Sequence, residues 1–227
     1  EYGVAGDRQN RVWFFRKDVG WCWNYPTGGI IHSVAISKIY PCMFPYPDHD
    51  VDVHHVKPLK NIVGQGYATK FNVTLSNEGA FAETAYLKIW AQNSTYTALV
   101  NSSLVTLASG TTPTIIVQGT GVSKLSKGNY TIFASISIVP NEIDVYDNTY
   151  VDGWVFVTIP GDINGDKTVN ILDCIILAGH FGHTNGDGHT PCTKAWKDCW
   201  NSNINCDGTV NILDCIILAG RFGQRWL

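Results

Sequence analysis

Twice in this chain, oxygen-bearing side chains recur at alternate positions of a short stretch. The first series is Asp162, Asn164, Asp166, Thr168, Asn170 and Asp173; the second is Asn203, Asn205, Asp207, Thr209, Asn211 and Asp214. Calcium is a hard cation that takes about six to eight oxygens, and alternate positions of a tight loop converge on one point. Each series therefore predicts a Ca2+ site, with the threonine contributing its backbone carbonyl and the next asparagine acting directly or through water. The two sites differ. The first offers three carboxylates but has Lys167 where a sharp turn favours glycine; the second keeps Gly208 but has two carboxylates, because Asn203 stands in place of an aspartate. Ligand charge tunes affinity, so both sites are expected to be weak, on the order of 0.1 to 1 mM, and structural rather than sensory.

Other clusters are less specific. Asp48-His-Asp-Val-Asp-Val-His-His55 would, on a strand, place Asp48, Asp50, Asp52 and His54 on one face, with Val51 and Val53 turned inward. A solvated strand edge is the plainer reading of that face, and a transition-metal site the sharper one. His180, His183, His189 and Cys192 have loose zinc-like spacing, but Arg221 occupies the position equivalent to His180. Cys174 and Cys215 occupy equivalent positions and either pair with each other or pack as small apolar residues. There is no Gly-x-Ser-x-Gly, His-Glu-x-x-His or phosphate loop, and pairs such as Glu142 and Asp144 read as ordinary loop charges. Nothing here predicts an enzyme.

The elements that carry these residues follow from periodicity. Residues 162–182 return as 203–223, with 17 of 21 positions identical at a period of 41, which marks a duplication. In each copy a helix is expected to begin at Ile171-Leu172 or Ile212-Leu213 and to end on a glycine cap at Gly182 or Gly223. Residues 183–202 are an insertion carrying Cys192 and Cys199. Upstream, Tyr67, Thr69, Phe71, Val73 and Leu75 alternate with polar residues, a period of two. The same alternation runs through Ala85–Ala91, Tyr130–Ile138 and Val151–Ile159. Turn residues at Ser76–Gly79, Ser109-Gly110, Lys127–Asn129 and Asp147-Asn148 separate the runs. About seven strands in ~110 residues predict an Ig-like β-sandwich, so the fold class is mostly β with a small α C-terminal module.

Three domains are expected: a β-rich arm or hairpin over 1–48, a sandwich over 49–160, and the duplicated module over 161–227, with Pro160-Gly161 at the joint. In the first, Gly28-Gly29 is expected to turn a hairpin between Trp21–Tyr25 and Ile30–Tyr40, which Cys22 and Cys42 would lock. Two or three strands alone are marginal in water, so this segment must lean on something else.

Composition narrows the partners. Charged residues make up 15% against 44% hydrophobic ones, with eight Trp, ten Tyr and nine Phe, a balance that favours association. A net charge of −3 gives no footprint for nucleic acid, and no apolar run is long enough for a membrane span. The chain starts at Glu1 with Met43 its only methionine, so a removed leader is expected. Sequons at Asn72, Asn93, Asn101 and Asn129 predict N-linked glycans, and seven cysteines suit an oxidising, extracellular setting.

The duplicated Asp-x-Asn-x-Asp-x-x-x-Asn-x-x-Asp series, its helix and its closing Phe-Gly resemble a type I dockerin domain. Val63–Gly66, Asn72–Gly79, Lys127–Thr131 and Asp147-Asn148 resemble a CARDB-type adhesion domain, and the pairing of the two is similar to a group of secreted archaeal proteins. The resemblance implies a non-enzymatic, calcium-folded module that binds another protein. Dockerins meet cohesins through polar helix positions; here those positions hold Ile171, Leu172, Ala178 and Gly179, then Ile212, Leu213, Ala219 and Gly220. This apolar, small-residue face is expected to pack on a neighbouring sandwich, in the same chain or the next.

The leading expectation is therefore a secreted structural subunit that binds copies of itself in a filament or surface layer. The strand-adding interface is placed at Val12, Trp13, Phe14 and Phe15 or at Ile30–Tyr40. The alternative is an adaptor that docks on a cohesin-like protein. A third reading uses Trp21, Trp23 or Trp90 as carbohydrate-stacking platforms.

Overall fold

The computed structural model describes residues 2–6, 11–16, 21–26, 48–184 and 197–226. The chain divides into two compact units, Glu1–Pro45 and Tyr46–Leu227.

In the first unit β1 (Tyr2–Gly6), β2 (Arg11–Arg16) and β3 (Trp21–Pro26) form an antiparallel meander with β2 in the middle. Val12 faces Gly6 on one side and Tyr25 on the other; Phe15 faces Gly3 and Cys22. This corrects the expectation that Val12–Phe15 adds to a neighbouring sheet, because the strand's backbone groups are already used on both sides. The Gly28-Gly29 turn, Ile30–Tyr40 and Cys42, the expected partner of Cys22, lie outside the described residues.

The second unit begins with a two-sheet sandwich. Its strands are β4 (Val51–Pro58), β5 (Ile62–Gly64), β6 (Thr69–Asn77), β7 (Glu83–Gln92), β8 (Thr97–Leu107), β9 (Thr114–Gly119), β10 (Gly128–Ile136) and β11 (Thr149–Thr158). One sheet has the order β4-β6-β9, the other β5-β11-β10-β7-β8. The chain changes sheet after β4, so β5 runs parallel to β11 while the other pairs are antiparallel. With hairpins at β7–β8 and β10–β11 and sheet crossings between β6 and β7 and between β9 and β10, this is an Ig-like arrangement. Phe71, Val73 and Leu75 of β6 and Leu87, Ile89 and Ala91 of β7 alternate into the core as their period demands. Alternation fails at two expected positions: Val151 is exposed, ahead of a register irregularity in the β10–β11 pairing, and Ile138 lies beyond the end of β10. Near that irregularity Gly153 sits at φ +87°, with a Cβ there reaching 2.8 Å from Pro58, so only glycine fits.

Tyr130, buried at the start of β10, donates its hydroxyl to the Ser126 carbonyl (2.9 Å) and meets the Tyr96 hydroxyl at 2.7 Å. A tyrosine bonding back a few residues at the corner before this strand is a device of Ig-type sandwiches. Burial and the Tyr96 bond hold its pKa above the usual phenol range, so it remains a donor. Tyr130→Phe is expected to lower stability by about 1–2 kcal/mol in urea unfolding, because the partners of the lost hydroxyl stay in place.

After the sandwich come α1 (Ile171–Gly179), α2 (Lys197–Ser202) and α3 (Ile212–Ala219). Ile159, Ile163, Val169, Leu177, Ile204, Val210 and Leu218 form a second core, separate from that of the sandwich. Gly182 and Gly223 do not cap the helices directly: α1 stops at Gly179, with the His180 N–H bonding to the Leu177 and Ala178 carbonyls. The glycines, at φ +85° and +81°, instead turn the chain back across the other repeat.

Candidate functional site

Each repeat is a loop that runs directly into a helix with a complete capping box. Asn170 accepts from the helix backbone while Asp173 reaches back to the Asn170 N–H; Asn211 and Asp214 repeat this in α3. The two loops are joined reciprocally. Gly182 N–H donates to the Val210 carbonyl and Val210 N–H to the His183 carbonyl. In return, Gly223 N–H donates to the Val169 carbonyl and Val169 N–H to that of Gln224. Each loop is thus hydrogen-bonded to the turn that ends the other repeat.

In the first loop the buried Asp162 carboxylate accepts from the N–H groups of Gly165 (2.8 Å), Asp166 (3.1 Å) and Lys167 (2.9 Å), and from the Thr158 hydroxyl (2.6 Å). Burial nonetheless holds its pKa above the usual carboxylate range. Asp173, fully buried, accepts from Ile163, Asn164 and Asn170. Asp166 receives the amides of Asn164 (3.0 Å) and Asn170 (3.5 Å). In the second loop Asp214 and Asp207 make the matching contacts.

Asn203 differs. Its side-chain oxygen, in a residue 2% exposed, has no hydrogen-bond partner. A buried acceptor left bare at the leading position of an all-oxygen loop fits a hard cation. The residues that would hold calcium are the two predicted series, and the ion would supply positive charge to their carboxylates.

Backbone strain is shared evenly between the loops. Lys167 adopts φ +69° where Gly208 has +107°, and Cys206 adopts +62° where Gly165 has +77°. Each loop therefore carries one glycine and one non-glycine in the left-handed region. Gly165 is further constrained, since a Cβ would approach Ile62 to 2.9 Å.

The helices bury one narrow stripe each, Asp173 with Leu177 and Asp214 with Leu218. The rest of their apolar surface is open. Ile171, Leu172, Ile175, Phe181, Ile212, Leu213, Ile216 and Phe222 are each 50–61% exposed. The expected face therefore exists but does not pack on the sandwich of its own chain. Between α1 and α3 lies a groove of ≈ 570 Å³, walled by Cys174, Leu177, Ala178 and Phe181 and by their repeat equivalents Cys215, Leu218, Ala219 and Phe222. Both cysteines are free thiols, which corrects the option that they pair.

One of the contacts between the module and the sandwich is a buried lysine. Lys60 Nζ donates to the carbonyls of Asn203 and Ile204 (2.9 Å each), and burial pushes its pKa down to about 8 against the pull of Cys206 and Asp214. Phe156 stacks on Trp226 at 5.6 Å, and Lys167 lies over the same indole. Neither Lys60 nor Trp226 was apparent from sequence, since nothing local marks a lysine that bonds across more than 140 residues. Lys60→Met is expected to cost about 2–3 kcal/mol, two charge-assisted bonds, and to let the module unfold ahead of the sandwich in a thermal scan.

Other predicted sites fare differently. Cys199 is disulfide-bonded, so although its sulfur lies 3.6 Å from His183 Nδ1 it offers no thiolate to a metal. His189 and Cys192 lie outside the described residues. Of the sequons, Asn129 is exposed, Asn72 and Asn93 are half-buried, and the Asn101 amide nitrogen is held by the Gln118 carbonyl. Trp90 stacks on Phe133 and donates to Ser135, so it is packed rather than presented as an open platform. No helix among the described residues is long and apolar enough to cross a membrane.

No family model and no curated protein matches the sequence. Among solved structures the chain is similar to the CARDB domain of PF1109 from Pyrococcus furiosus, in complex with di-metal ions. That likeness has 18% identity and a TM-score of 0.39, over 50% of this chain and 97% of that one. It is also similar to a β-glucosidase from Listeria innocua (16% identity, TM-score 0.34, 49% of this chain and 16% of that one). A third is Spo0M, a sporulation control protein from Bacillus subtilis (14%, 0.36, 60% and 57%).

Proposed function

We propose that this chain is a non-enzymatic, secreted structural or adhesion subunit of an extracellular assembly of the archaeal type. Its dockerin-like module is folded by two calcium ions and makes the assembly contact. The exposed apolar face of α1 and α3 carries this reading: eight large side chains in two equivalent sets, unlike the neutral-to-polar surface of a domain that works alone. The partner is a second copy of the chain. A second exposed pair, Tyr86 and Leu104, lies directly opposed on β7 and β8 of the sandwich, so a copy offers apolar surface at two separate places. Two different contact surfaces on one chain generate open, head-to-tail assemblies. Strand addition onto the outer strand β8 completes the joint, donated from the edges of the N-terminal sheet rather than from its middle strand.

The test is sedimentation of the double variant Ile171→Asp, Ile212→Asp in calcium. Two charges placed in the face are expected to leave a folded monomer where wild type forms larger species. Unchanged self-association, together with lost retention of a cohesin-like receptor, would instead identify an adaptor.

A further inference from the structure

The end of the sandwich where β4 begins gathers a second set of oxygens, unrelated to the two loops. Asp50 and Asp52 are 7% and 4% exposed; one Asp50 oxygen is buried without a hydrogen-bond partner, while Asp52 Oδ1 lies 3.3 Å from His54 Nε2. Asn148, also 4% exposed, is held through its amide nitrogen by Glu142, while its oxygen has no partner. Glu142 is fully engaged, accepting from Val51 (2.9 Å) and Val139 (2.8 Å) as well.

Three chain segments are pinned together there. Glu78 N–H donates to the Asp50 carbonyl and Val53 N–H to that of Asp147 (both 3.0 Å). The donor atoms of Asp52, His54 and Glu78 lie within 4.8 Å of one another. The charges that act on Asp50 are Asp147, Asp144, Glu78 and Asp52, all negative. Burial and these neighbours raise its pKa to about 7, and burial raises that of Asp52 to about 6. Buried carboxylates are kept when a cation or a full set of donors compensates them.

We propose that this end of the sandwich binds one further calcium ion, held by Asp50, Asp52, Glu78, Asp147 and the side-chain oxygen of Asn148. The donors in this set are all oxygens, which suits a hard cation over a transition metal, and the half-exposed His54 beside them contacts Asp52. The ion would tie the first strand to the β6–β7 and β10–β11 turns and stiffen the sandwich at that end.

Equilibrium dialysis of the full chain against radioactive calcium tests this with two variants. Asp50→Asn with Asp52→Asn is expected to bind one calcium fewer than wild type. Asp173→Asn with Asp214→Asn, which alters only the loops, is expected still to bind one at the sandwich. Binding by the first variant equal to wild type overturns the proposal. So does preferential uptake of zinc at this end. If the loops bind nothing, wild type binds one ion and the first variant none, so the loop reading can fail while this one stands. A second measurement guards against misfolding: Asp50→Asn removes like-charge crowding, so its melting temperature without calcium is expected to rise, and a fall contradicts the cluster.

Discussion

Replacing Asp214 by alanine is expected to unfold the C-terminal module even at high calcium. Its carboxylate is fully buried and accepts from three backbone N–H groups, those of Ile204, Asn205 and Asn211. Alanine leaves all three without a partner, at roughly 1–3 kcal/mol each, so about 3–9 kcal/mol in all. That approaches the whole stability of a small domain. Because each loop is hydrogen-bonded to the turn that ends the other repeat, the loss should spread to the first repeat, and Asp173→Ala should behave alike. Asparagine in either position keeps one acceptor oxygen, so Asp214→Asn is expected to fold but to lose most of its calcium response. Helical circular dichroism with and without calcium separates the two variants; equal helicity for Asp214→Ala and wild type would contradict the proposed part of the carboxylate.

The second large effect is that of calcium on wild type. With a dissociation constant near 1 mM, calcium at ten times that concentration stabilises by about 1.4 kcal/mol per site, hence about 3 kcal/mol for two. If Tyr46–Leu227 melts as one unit, the melting temperature should rise by roughly 6–12 °C. Magnesium, smaller and bound to rigid octahedra of oxygen, should give little of this. An identical melting temperature in calcium, magnesium and chelator would remove calcium from the folding of the loops.

The loop-to-helix junctions were legible in the sequence because each capping box lies within a few residues, where spacing alone sets geometry. The same holds for the helix face, whose apolar residues repeat at a period of 41. What sequence missed depends on distant packing. Treating Asp48–His55 as one solvated strand face was half right: Asp48 and His54 are exposed, but Asp50 and Asp52 are buried. Glu142, read as an ordinary loop charge, is a bracket holding Val51, Val139 and Asn148. The middle position of Arg11–Arg16 was equally hidden, since a strand's sequence says little about how many neighbours it has. Gly182 was expected to cap the helix, which instead ends three residues earlier at Gly179, while Gly182 bonds to Val210 of the other repeat.

The most direct measurement is negative-stain microscopy of the native protein in calcium and after chelation. Regular filaments or sheets in calcium that loosen when it is removed are the expected result, since the proposed assembly face rests on helices that follow directly from the loops. Dispersed particles in both conditions would contradict a calcium-dependent self-assembly and turn attention to a separate receptor.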